Sequence, residues 1–145
     1  MQENRNPHDS QQMPGISHYN PPELPSPSGF SHASSGSGEV VYVAGQVGCD
    51  ISGAIQNPGD VAAQFGLAIR NLRTALAAAG CSPADVVKVN YLVTDVGAYK
   101  TALKPIGEHY RAVFGRYFPA STLAEVKGLF DPAAMVEIEA VAVRG

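Results

Sequence analysis

The sequence has no tryptophan, only two cysteines, no long apolar run and few charges for its length. Cys49 and Cys81 cannot build a disulfide framework, and their spacing is not a zinc pattern. No stretch approaches the roughly 18 apolar residues that a membrane-spanning helix needs. The opening MQENRNPHDSQQMPG carries no apolar segment of the kind found in secretory signals. Basic residues are in the minority: 10 Lys and Arg against 13 Asp and Glu give a formal charge of −3. That balance argues against a nucleic-acid module, which presents a basic face. What is present is 145 residues, 45% of them apolar, enough for one folded domain. The expectation is a soluble, cytoplasmic protein with neither membrane nor nucleic acid as its partner.

Composition changes near residue 38. Residues 1–38 hold six of the eleven prolines and three of the four histidines, with almost no apolar periodicity. Residues 1–28 read as a Pro-rich extended or disordered arm, and 29–145 as the folded domain. Residues 29–34 (GFSHAS) suit a short edge strand, and 34–38 a turn. EVVYVAGQV (39–47) is a strand with both faces covered. CDISGAI follows, with Ser52-Gly53 as a hairpin tip. Asp60 stands where an N-cap belongs. Val61, Phe65, Ile69, Leu72 and Leu76 then recur at helical spacing over 61–79, and Gly80 is a stop. Residues 85–94 form a strand. Residues 98–114 form a second helix, which Pro105 either kinks or begins. Strands at 121–129 and 134–143 complete the order β-β-β-α-β-α-β-β. The fold class is α+β: a mixed sheet with two helices on one face.

The last strand alternates cleanly. Val136, Ile138, Ala140 and Ala142 make one apolar face for the helices. The other face holds Met135, Glu137, Glu139, Val141 and Val143. The strand at 85–94 alternates in the same way, with Val87, Val89, Tyr91 and Val93 on one side. Apolar groups on the side that no helix covers predict an oligomer interface. Glu137 and Glu139 then fall on or beside that interface, or line its solvated rim.

The segments GFSHA, VVYVAGQVG, GDVAAQFGLAIRNLRTALAAAG, DVVKVNYLVTD, FPAST and VEIEAVAVRG, in this order and spacing, resemble the Rid (YjgF) family over residues 20–145. The resemblance implies a chorismate mutase-like fold that assembles as a homotrimer, with sheets facing a central barrel. It implies an intersubunit cleft that hydrolyses enamines and imines without metal or organic cofactor. An arginine there clamps the substrate carboxylate, and a glutamate positions or activates water. Glu137 takes the glutamate's place, and Gly45 and Gln46 match. Ser121, in Pro119-Ala120-Ser121-Thr122, stands where the family has arginine. Leu123 replaces a frequent cysteine, Ala44 a frequent serine, and Ser31 aligns near a tyrosine. The implied site is Glu137 as catalytic residue, with Ser121, Leu123, Ala44, Gly45, Ser31, His32 and Tyr91 around the substrate.

Serine has neither the charge nor the five-donor fork of arginine. Losing such a clamp costs roughly 2–5 kcal/mol for a buried pair, so a neutral or apolar substrate suits Ser121, Leu123 and Ala44 better. Arg116 is an alternative cation from the preceding loop, and His32 is either an acid–base group near Glu137 or a backbone-bonded strand anchor. His109 reads as solvated. The readings that follow are an enzyme acting on a small imine other than the usual carboxylate-bearing one, a non-catalytic small-molecule binder or regulator, and a ribonuclease or translation inhibitor. The acidic balance weighs against the last.

Overall fold

The computed structural model describes residues 15–145. Within them the chain runs β1 (Ile16–Tyr19), β2 (Ala33–Gly36), β3 (Glu39–Val47), α1 (Val61–Ala78), β4 (Val86–Val93), α2 (Val96–Thr101), α3 (Leu103–Phe114), β5 (Ala120–Glu125) and β6 (Val136–Arg144). A 3-10 turn at Pro83–Asp85 leads into β4. The main sheet has the order β3-β6-β4-β5. β4 and β5 are parallel, and β6 is antiparallel to both β3 and β4. Hence β3, β4 and β5 point one way, β6 points the other, and β3 and β5 are the two edges.

Helix α1 forms where its apolar spacing demands. The Asp60 carboxylate accepts from the Ala63 amide at 3.0 Å, which supplies one of the partners that a helix start lacks. At the other end Gly80 takes φ +74°, and the amides of Gly80 and Cys81 close onto Ala77 and Leu76 carbonyls. Phe65, Ile69, Leu72 and Leu76 are all buried against the sheet. They meet Val136, Ile138, Ala140 and Ala142 of β6, also buried. Each of the buried Phe, Ile, Leu and Val side chains among them stabilises the fold by about 1.5–3 kcal/mol.

Five local features differ from simple sequence expectation. The helix expected over 98–114 is two helices that break at Ala102 (φ −99°, ψ 14°). Pro105 falls in the first turn of α3, where its missing N–H leaves no bond unmade. The register of β4 shifts between Val86 and Lys88. Val86 therefore joins Val89, Tyr91 and Val93 in the core, while Val87 turns to the other face, against Gly36. His109, expected in solvent, is half-buried and lies over α1, where a Cβ on Gly66 would come within 2.6 Å of its ring. CDISGAI supplies only an isolated bridge, Cys49 to Ile55, and not a strand.

The fifth difference lies in the expected arm. Its residues 1–14 are outside the described residues. Ile16–Tyr19 is extended, as proline-rich surroundings suggest, but it pairs with β2 in a two-stranded ribbon. Ile16 and His18 are buried. His18 Nδ1 meets the Ser34 hydroxyl at 2.9 Å, and its ring stands edge-on to Tyr117. The ribbon rests on the end of the sheet that carries Val87 and Val143. The rest of that face has no layer over it among the described residues.

Candidate functional site

β3 changes register between Val43 and Gln46. This bulge carries Ala44 and Gly45, and the Gln46 amide folds back onto the Ala44 carbonyl at 3.1 Å. Beside it on β6 stands Glu137, opposite Val47 on one side and Leu92 on the other. Its side chain projects away from the helices and is half-buried. A Cβ on Gly45 would stand 2.1 Å from Glu137 Oε1 and 2.6 Å from Cδ. The glycine therefore opens the slot in which the carboxylate lies. No hydrogen bond among the described residues engages that carboxylate, so it is available to water or a ligand.

The same face continues through Tyr42, Asn90, Glu139 and Val141. With Val43, Ala44 and Ala140 they line a shallow concavity of about 400 Å³. Tyr42 is 79% exposed, although its strand reads as covered on both sides. The Asn90 amide donates to Glu139 at 3.2 Å, and the Lys88 ammonium donates to the Thr122 hydroxyl at 2.8 Å. The one cation on this stretch of the face is thus turned toward a neutral partner.

Ser121 and Leu123 lie elsewhere. On the edge strand β5 they pair with Val89 and Tyr91. Paired residues share a face, so both point to the helix side, half-buried at the rim. Glu137 pairs with Leu92 and points the opposite way. Ala44 and Gly45 occupy one edge strand and Ser121 and Leu123 the other. The two edges are three strand spacings apart, about 14 Å. One subunit does not gather these residues into one pocket.

The remaining expected site residues have structural partners. Ser31 is buried; its hydroxyl donates to the Phe118 carbonyl at 2.7 Å and its amide to Pro119. These bonds fasten the loop to the start of β5, where Ser31 bridges Ala120. His32 Nε2 donates to the Pro25 carbonyl at 2.7 Å, which fixes the Nε2–H tautomer because a carbonyl only accepts. Its amide bonds Asn20, and its ring packs edge-on against Phe30. Tyr91 is buried and stacked on Phe65 with ring centroids 5.8 Å apart. Burial pushes its phenol well above the usual range. Arg116 is exposed just beyond α3. Among the described residues no group of three or more His, Cys, Asp or Glu could hold a metal ion.

Sequence reasoning missed Tyr42 and Asn90. Strict alternation through β3 would have turned Tyr42 away from Val41 and Val43. It also missed two clamps on α1. Gln64, fully buried, donates to Asn57 and Ala133 carbonyls and accepts from the Met135 amide at 2.8 Å. Asn71 donates to the carbonyls of Val47 and Cys49 at 2.9 and 3.1 Å. Together they fix the loops that flank Glu137.

Comparison with known proteins decides the family. The model for Endoribonuclease L-PSP matches residues 22–144. The chain belongs to this family, also called Rid or YjgF. Among its Rid relatives, the 2-iminobutanoate/2-iminopropanoate deaminase of Rattus norvegicus is 37% identical over 106 residues, which cover 73% of this chain and 74% of that protein. The Rid-family protein YyfB of Yersinia pestis superposes with a TM-score of 0.80 at 32% identity, covering 90% of this chain and 99% of that one. Escherichia coli TdcF with bound serine gives a TM-score of 0.63 at 27% identity, over 83% and 91% of the two chains. The chain is therefore a Rid-family α+β protein with imine deaminases among its relatives. No helix among its described residues is long and apolar enough to cross a membrane.

Proposed function

We propose that this protein hydrolyses or tautomerises a small enamine or imine lacking the usual carboxylate, in a cleft between subunits of a homotrimer. The observation that carries this reading is the placement of the site residues on opposite edges and opposite faces of one sheet. Such residues form one pocket only when the β3 edge of one subunit meets the β5 edge of the next. That contact is heterologous, and a heterologous contact that closes gives a ring. The uncovered sheet face, with exposed Tyr42 and Val40, supplies the apolar surface that such a ring buries.

Glu137 has the chemistry for the reaction. Water attacks the imine carbon, and the carboxylate takes the proton that the water releases. The carboxylate returns that proton to the nitrogen to complete the carbinolamine. As its C–N bond breaks, the carbinolamine's hydroxyl proton passes through the same carboxylate to the departing nitrogen, which leaves as ammonia, and the carbonyl product remains. No metal or cofactor enters these steps. Across the cleft Ser121 offers one hydroxyl where a carboxylate would need a guanidinium. The substrate group beside it is uncharged.

The test is ammonia release from freshly generated 2-iminopropanoate, above the rate without protein. The native chain is expected to be silent and Ser121→Arg active, with Glu137→Gln abolishing that activity while the assembly persists. Turnover by the native chain would mean that another group binds the carboxylate. Silence in both would favour the reading of a small-molecule-binding or regulatory protein that uses the same cleft.

A further inference from the structure

Two large apolar side chains, Ile51 and Phe130, are fully exposed, yet the loops that carry them are tightly fixed. Ile51 sits in the hairpin after β3. There the Asp50 carboxylate accepts from the Ser52 amide (2.9 Å), the Ser52 hydroxyl (2.6 Å) and the Ala54 amide (3.1 Å). Asn71 ties the base of that hairpin to α1. Phe130 lies in the loop after β5 and immediately precedes Asp131. The Asp131 carboxylate accepts from the Ala133 amide at 2.9 Å, its carbonyl accepts from Ala134, and Gln64 holds Ala133 and Met135. The backbone of each loop is thus fixed, and water is the environment of both side chains in the isolated subunit.

Their positions matter more than their exposure. Ile51 follows the edge strand β3, and Phe130 follows the edge strand β5. β3 and β5 point the same way, so both loops leave the same end of the sheet. That end also carries Glu137, which pairs with Val47, the last residue of β3. The intersubunit reading above joins the β3 edge of one subunit to the β5 edge of the next. In a ring whose axis runs along the strands, Ile51 of one subunit and Phe130 of its neighbour then reach the same mouth of the same cleft.

We infer that Ile51 and the neighbouring subunit's copy of Phe130 form an apolar mouth over Glu137, and that the cleft takes an uncharged imine with an aliphatic or aromatic chain. This rests on the intersubunit site proposed above and adds its substrate class. The chain of such a substrate loses apolar surface to the two side chains. Its imine carbon goes down to Glu137, and Ser121 and Leu123 make a wall without charge. The same mouth limits bulk water, so that the attacking water is the one beside the carboxylate.

The contact can be tested without turnover. Ile51→Cys with Phe130→Cys, in a Cys49→Ser background that leaves buried Cys81 in place, is treated with a short bismaleimide. Because both sites are exposed, neither change threatens folding. Covalent multimers are expected on a denaturing gel. A bridge within one chain, or none in an assembled sample, would overturn the mouth while leaving the intersubunit site standing. A monomer in solution would overturn both. A second measurement uses neutral and charged carbonyl compounds as product mimics. By ligand-observed NMR, 2-hexanone is expected to bind more tightly than pyruvate, and Phe130→Ser and Ile51→Ser each to weaken 2-hexanone by about tenfold. Tighter binding of pyruvate, or 2-hexanone binding unchanged in both variants, would overturn the substrate class.

Discussion

The two faces of the sheet are built from similar residues but have different fates. On the helix side Val136, Ile138, Ala140 and Ala142 are all buried within the subunit. Tyr42 and Val40, on the opposite side, remain 79% and 48% exposed, beside Glu137, Glu139 and Asn90. The first face is explained by packing inside one chain. The second mixes apolar groups with carboxylates, and no layer of the described residues covers it beyond the β1–β2 ribbon. A shared apolar character with opposite exposure separates the face that holds the subunit together from the face to which the proposed reading assigns assembly and chemistry.

That contrast makes graded predictions. The largest effect belongs to the covered side: Leu72→Ala removes a fully buried side chain and is expected to cost about 3–4 kcal/mol in urea unfolding. Gln64→Ala leaves the Met135 amide without its acceptor and is expected to cost about 2–3 kcal/mol. It should also loosen the Phe130 loop, which hydrogen exchange at Ala134 and Met135 would register.

Alkaline pH offers a third probe of the covered side. Burial raises the phenols of Tyr91, Tyr110 and Tyr117, and pushes Tyr99 up to about 12. Unfolded tyrosines ionise near about pH 10, so the folded state holds more protons there. The stabilisation is complete below that pH and is lost as pH rises from about 10 toward 12. Melting temperature should fall across that window, and Tyr99→Phe should flatten the fall. The smallest change in subunit stability belongs to the open face. Tyr42→Ser is expected to alter it by about 0.5 kcal/mol or less, yet to shift sedimentation toward smaller species. If Tyr42→Ser destabilised the fold as Leu72→Ala does and left sedimentation unchanged, the contrast between the faces would fail.

Much of the fold was legible in the sequence because period and punctuation agree there. Asp60, the spacing from Val61 to Leu76 and Gly80 define α1 almost to the residue. Alternation in β6 sorts its two faces correctly. Legibility ended where a local departure depends on tertiary contacts. The bulge at residues 86–88 leaves no mark in composition and the one at 44–45 leaves only Gly45, yet they decide which way Val86, Val87 and the Glu137 slot face. The break at Ala102 falls on a good helix former. Strand β1 was hidden because Ile16 is the lone strong apolar residue in ISHY, and its partner ASSG has none. At the site, Glu137 and Gly45 could be found from the motif, and the slot between them fits that pairing. The separation of Ser121 from Glu137 could not, because sheet order is a property of the folded chain.

The most direct measurement compares two imines on one preparation of native protein: 2-iminopropanoate, and the aldimine released when an amine oxidase acts on an aliphatic amine. Ammonia release above the spontaneous rate is followed for each, with Glu137→Gln as the control. Acceleration is expected for the uncharged aldimine, none for 2-iminopropanoate, and loss of the acceleration in Glu137→Gln. Acceleration of 2-iminopropanoate alone, or an aldimine rate indifferent to Glu137→Gln, would contradict the proposed function.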